Sequence, residues 1–256
     1  MASKFLPVFM SNARLEISEL LGPVLGRPPS HRRILAFCRN FRILAIGSLL
    51  LYAEPKPFKR YLYQSGRAYL HFARAAAFRS KPTSRAAPFF DAIVALDLDT
   101  AAAIAASASP TRRADIEYDE DFLYMRFLMQ HVFAQPSPVE ARDLLNRYER
   151  ALQGARDDRL DVCKALLDGD AEAFDEALAL VLQEKADRAQ RLADQEAIDP
   201  EEWATEGQVS IEGLALVVLA ERAGFATRRD YLLVPSLARE EGAAAVEPDS
   251  WMQVTE

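Results

Sequence analysis

Apolar side chains recur at three- and four-residue intervals along nearly the whole sequence, and that period points to helix throughout. Ile34, Phe37, Cys38, Phe41, Leu44, Ala45 and Ser48 fall on one face of a helix over 30–52. Phe58, Leu62, Ser65, Tyr69, Phe72 and Ala76 make the next stripe, after the break at Glu54-Pro55-Lys56-Pro57. Further stripes run through Phe122, Met125, Met129, Val132 and Phe133, through Ala141, Leu144, Leu145, Tyr148 and Leu152, and through Phe174, Ala177, Leu178, Val181 and Leu182. Composition agrees: 43 Ala and 32 Leu stand against 28 Val, Ile and Thr together, and unbranched side chains keep their rotamer freedom in a helix. The expectation is an all-α chain, a single globular domain of nine to eleven helices packed as antiparallel pairs.

Start and stop signals divide the pattern. Ser137-Pro138-Val139-Glu140 is a capping box with Pro at the first helical position. Asp199-Pro200-Glu201-Glu202 reads as a cap followed by first-turn acids. Asp99 and Asp119 are placed as caps of the helices that follow them, and Gly224 as the left-handed end of a helix with Ile211, Leu214, Ala215, Val218 and Leu219 on one face. In that helix Leu216 and Val217 lie off the main apolar face, so it should be buried nearly all round. Residues 231–234 are the one stretch with extended character. Leu-Asp-x-Asp turns at 96–99 and 167–170 echo each other without a tandem period.

Charge is distributed unevenly. Residues 1–90 hold 15 Lys or Arg and 3 acids, a net of +12; residues 91–256 hold 16 basic and 35 acidic residues, a net of −19. Either the basic part docks on the acidic part, or the acidic part offers a field to a basic partner. The change of sign coincides with the polar stretch 79–87. The organisation expected is therefore a basic helical part over 1–85, an acidic helical part over 86–240 packed with it as one unit, and a loose tail over 241–256 from which Trp251 could dock back. The longest charge-free apolar run, 43–53, is too short to span a bilayer. The N-terminal stretch lacks the apolar core and cleavage site of a signal peptide. Two Cys exclude a disulfide scaffold, and the compartment expected is the cytoplasm.

The inventory of chemistry is sparse. His31, His71 and His131 sit on separate helices with no His, Asp or Glu partner at metal-ligand spacing, so no metal or other cofactor is expected. Cys38 and Cys163 lie on apolar faces and read as small hydrophobes. No nucleophile elbow, phosphate loop or dinucleotide fingerprint is present. The basic and aromatic residues of 56–79 read as a solvated helix face, without a nucleic-acid motif. Asp115, Glu117, Asp119, Glu120 and Asp121 put five carboxylates in seven residues, with Tyr118 among them. As a calcium loop this fails, because Glu120 occupies the position that needs Gly. As an exposed acidic surface it suits the Arg and Lys of another protein. Glu201, Glu202, Trp203 and Glu206 form a second candidate, with Trp203 either an interface anchor or a core residue. All ten residues are read as a partner-binding set.

Four blocks in order then carry a resemblance: Tyr118-Asp119-Glu120-Asp121-Phe122; residues 159–170 with Phe174; residues 209–224; and Tyr231 through Pro235-Ser236-Leu237-Ala238. Over about 85–240 the chain resembles the immunity protein 49 family of bacterial polymorphic toxin systems. The resemblance implies an all-α, non-enzymatic protein that binds and neutralises a secreted toxin encoded beside it. A basic toxin, such as a nuclease, would fit the acidic surface. The alternative is a helical scaffold or regulator that binds another protein or peptide. Neither nucleic acid nor a membrane is expected as a partner.

Overall fold

The structure is a computed structural model that describes residues 3–26, 30–77, 81–134, 136–240 and 246–253. Its described residues hold eleven α-helices and no β-strand. They are α1 (Leu6–Leu25), α2 (His31–Tyr52), α3 (Pro55–Ala75), α4 (Pro88–Val94), α5 (Leu98–Ser107), α6 (Asp119–Met129), α7 (Pro138–Leu152), α8 (Asp158–Asp168), α9 (Ala171–Asp194), α10 (Pro200–Ala204) and α11 (Ile211–Arg222). The extended character expected at 231–234 reduces to a single antiparallel bridge between Tyr231 and Val234.

The arrangement is built on α2. Its apolar stripe continues almost around the helix, so it packs against α1 on one side and α3 on the other. Helix α1 contributes Leu6, Met10, Ala13, Ile17 and Val24, one residue per turn or two, which is a narrow buried stripe. Gly47 lets the two helices touch: a Cβ there would collide with the Met10 side chain. At Gly66 on α3 a Cβ would stand 3.0 Å from that of Ala92 on α4, so α4 approaches backbone to backbone. Helix α11 lies against α4 and α9 with Leu214 to Val217 all buried, as its apolar run requires. Apolar side chains from before and after residue 85 share one core. α2 is long and apolar enough to cross a membrane, with a mean hydropathy of 1.7 in its most apolar stretch. Its polar side chains are nonetheless engaged inside the protein: Asn40 donates to Glu16, and Arg42 to Asp91 and Glu206.

Three local expectations change. The helix after Leu96 begins at Leu98, and Asp97 caps it, accepting from Thr100 N at 3.3 Å and from Thr100 Oγ1 at 2.7 Å. Asp99 lies in the first turn; both Asp suit a cap, and the left-handed Leu96 (φ 61°) delivers the chain with Asp97 in place. Asp119 is likewise the first helical residue and no cap: the extended Tyr118 (φ −75°, ψ 151°) holds that position, and the Asp119 carboxylate pairs with Arg112 at 2.7 Å. Finally, residues 246–253 are not loose. Trp251 is 2 % exposed, edge-on to Phe37 at 6.1 Å and 5.2 Å from the His71 ring, an aromatic burial large enough to hold the segment. Residues 241–245 and 254–256 lie outside the described residues. The capping box at Ser137 and Glu140 forms as read.

Two measurements follow. Asp97→Ala should lower unfolding free energy by about 1 kcal/mol, the usual value of a cap, while Asp99→Ala should stay within about 0.5 kcal/mol; urea unfolding of both variants separates them. The second concerns His31, which packs on Tyr69 and Phe72. Burial, and then Arg85, depress its pKa to about 4 against an upward pull from Glu117. The unfolded chain takes up that proton near pH 6.5, so the neutral ring's contribution is whole above pH 6.5 and is lost as pH falls from there to about 4. The urea midpoint should drop across that window, and His31→Phe should flatten the drop.

Candidate functional site

The segment before α6 is more tightly tied than its five acids suggest. Glu117 is only 4 % exposed. Its Oε1 accepts from the Ser84 amide at 2.7 Å and hydroxyl at 2.8 Å, and its Oε2 from the Arg113 amide at 2.8 Å. Those three donors replace water, so Glu117 departs from the exposed surface that the sequence suggests: it anchors the loop to residues 83–85. The neighbouring carboxylates are matched by arginines. Asp115 pairs with Arg113, Asp119 with Arg112, and Asp121 with Arg159. The hydrogen bond from Arg113 holds the Asp115 carboxyl below its usual range. Tyr118 projects from the tip, 73 % exposed.

Arg159 organises a second polar knot. It donates to both oxygens of Asp157 and to Asp121, lies over the Tyr124 ring at 4.9 Å, and shares Asp157 with the Tyr148 hydroxyl, which donates at 2.6 Å. The arginines at 112 and 113 are visible beside the acids in sequence. Arg159 is 38 residues from Asp121, and no local pattern marks it.

Around α10 the arrangement is different. Asp199 caps the helix, accepting from Glu201 N at 2.8 Å. Glu202 is exposed, and Trp203 is half-buried with Gly207 folded beneath it. Glu201 and Glu206 turn toward α2, where Arg39 reaches Glu201 at 3.5 Å and Glu206 at 4.0 Å. Arg42 reaches Glu206 at 3.1 Å. Burial pushes the Glu206 carboxyl up, but Arg42, Lys185 and Arg39 together hold it below its usual range. Burial raises the Glu201 carboxyl.

Arg42 makes one deeper contact. Its Nε donates to Asp91 Oδ1 at 2.5 Å, and Ser65 donates to the other oxygen of Asp91, which has no exposed surface. α2, α3, α4 and the segment after α10 are thereby joined through one guanidinium. Beside it lies a cavity of about 250 Å3 bordered by Arg42, Asp121, Tyr124, Arg159, Lys185, Glu206 and Glu212. Asp121 comes from one acidic segment and Glu206 from the other, so the two sequence candidates meet at one cavity. Tyr124, Arg159, Lys185 and Glu212 were not among them; each is an ordinary polar residue on a helix until the packing turns it inward.

Removing one partner of a buried pair leaves an uncompensated charge. Arg42→Met should therefore cost about 3–5 kcal/mol of unfolding free energy, and the double variant Arg42→Met/Asp91→Leu should recover much of it. Urea unfolding of the three chains measures this, and a single-variant loss under about 1 kcal/mol would show the pair to be solvent-screened.

Residues 52–238 match the family described as Immunity protein 49. The span begins earlier than the sequence resemblance, so it takes in α3 and nearly all of the cavity wall; Arg39 and Arg42 on α2 precede it. No curated protein and no solved structure matches the chain. With most of its length covered by that match, this chain belongs to the immunity protein 49 family.

Proposed function

We propose that this protein is an immunity protein that binds a cognate secreted toxin and blocks it by occlusion, without chemistry of its own. Family membership carries the reading. An inhibitor of this kind needs a rigid scaffold with a shaped, charged face, and the helices here provide one. The face proposed is the one around the cavity mouth, where the two acidic segments approach through Asp121 and Glu206. Asp115, Tyr118, Asp119, Glu120, Asp121 and Glu202 would meet the toxin directly. Glu201, Trp203 and Glu206 would shape the floor, and Glu117 would hold the loop in register.

The net charge of −7 and the acidic balance after residue 90 favour a basic partner. A nuclease cleft is basic because it binds phosphates, and carboxylates on a rigid loop could occupy their places. The arginine pairing of Asp115, Asp119 and Asp121 reduces the net field but fixes where each carboxylate stands, which favours specificity over raw attraction. The setting is the cytoplasm of the bacterium that makes the toxin.

Co-expression with the toxin encoded next door tests the function: protection and a co-purifying complex are expected, and neither would appear for an unrelated helical scaffold. The face is tested by Asp115→Lys/Asp119→Lys. Both side chains are more than half exposed, so the loss of two ion pairs and of a first-turn acid should lower unfolding free energy by only about 1–2 kcal/mol and leave the chain folded. Toxin association at low salt should slow about tenfold or more, with a weaker salt dependence and little change in dissociation. Unchanged association in the folded double variant would move the contact to another face.

A further inference from the structure

Where α1, α2 and α3 meet, their side chains leave a pocket of about 150 Å3 that opens to solvent. Its floor is apolar, made by Ile17 of α1 and by Phe41 and Leu44 of α2. Ser250 and Gln253 form one wall. They are held there by the burial of Trp251 and by Gln64, which donates to the Ser250 carbonyl at 3.0 Å. The pocket also has a basic rim. Arg14 and Arg60 line it from two different helices, and both are exposed, so their guanidinium groups stand at the mouth. Arg60 lies over the Tyr61 ring at 5.2 Å, a contact that steadies the charge without neutralising it. None of the nine lining residues is acidic. Among the described residues neither arginine has a carboxylate partner. Glu16, two residues beyond Arg14, lies about 200° further round the helix, where it accepts from Asn40.

Size and charge together select a ligand. An apolar cavity of about 150 Å3 accommodates one benzene ring, and this pocket has that volume. Guanidinium forks at one opening match the paired oxygens of a carboxylate. An inorganic anion would leave the apolar floor wet, and a neutral or cationic ring would leave the arginines unmatched. We propose that this pocket binds a small organic acid with one ring-sized apolar body, an arylacetate in the simplest case. The ring rests on Ile17, Phe41 and Leu44, and the carboxylate sits between Arg14 and Arg60. The site stands apart from the toxin reading. Arg14, Ile17, Phe41, Leu44, Ser250 and Gln253 all lie outside the span 52–238 that matches the family.

Sodium phenylacetate is titrated into the full chain at constant ionic strength, with sodium chloride balancing, while Tm is followed. At ten times Kd, Tm should rise by about 3–5 °C. Sodium acetate has the carboxylate without the ring, and benzylamine hydrochloride has the ring with the opposite charge; neither should move Tm at the same concentration. 1-Naphthylacetate carries the same carboxylate on a body too large for the floor, and should bind about tenfold more weakly than phenylacetate. Arg14→Met and Arg60→Met keep an apolar stem and remove a charge that pairs with no acid, so each should leave the basal Tm nearly unchanged. Each should weaken phenylacetate about tenfold in a calorimetric titration, and the double variant should lose the Tm response. No shift with phenylacetate, an equal shift in the double variant, an equal shift with benzylamine or tighter binding of 1-naphthylacetate would overturn the site. These measurements involve no toxin, so their failure leaves the immunity reading untouched, and failure of that reading leaves the pocket standing.

Discussion

The guanidinium of Arg42 is the point on which the arrangement turns. It sits on a helix otherwise apolar enough to span a bilayer, and it faces a carboxylate with no exposed surface. A charge in that position is tolerable only when its partners are in place. Asp91 on α4, Ser65 on α3 and Glu206 after α10 must therefore converge on α2 together. Apolar packing alone would permit α4 to slide or rotate on α3 at modest cost. The ion pair and the close contact of Gly66 with Ala92 admit one register.

The same demand accounts for part of the uneven charge of the sequence. Arg39, Arg42 and Arg67 from the basic part meet Glu201, Glu206, Asp91 and Asp97 from the acidic part. Part of the asymmetry is thus neutralised internally, across the contact between early and late helices, by three of the fifteen basic residues before residue 91. In the segment before α6 the carboxylates of Asp115, Asp119 and Asp121 are each held by an arginine, and that of Glu117 by two backbone amides and a hydroxyl.

Much of the helix layout can be read from the sequence because it rests on periodicity and caps. The burial of Leu216 and Val217 and the box at Ser137 follow from residues within one or two turns. The misplaced caps at Asp99 and Asp119 show the limit of local reading: two candidates of equal chemistry stood side by side at 97 and 99, and at 119 the acid is itself the first helical residue, with Tyr118 in the cap position. The site was half legible. Both acidic segments stand out as text, but their meeting depends on helices over a hundred residues apart, and Glu117 reads as exposed until Ser84 is brought beneath it. Tyr124 and Lys185 carry no signal, since a tyrosine on an apolar stripe and a lysine on a charged helix are each what an ordinary helix shows.

Trp251 has a consequence in time as well as in space. Its ring packs edge-on to Phe37, and the neighbouring Ser250 carbonyl accepts from Gln64 Nε2, 186 residues earlier in the chain. At a synthesis rate of about 5–20 residues per second, the α2–α3 hairpin leaves the ribosome about 10–40 s before those partners exist. For that interval an aromatic face at the centre of the fold stands open to water and to whatever else binds apolar surface. The nascent hairpin is thus a natural client for a chaperone, and codon choice over the intervening helices would govern how long it stays one.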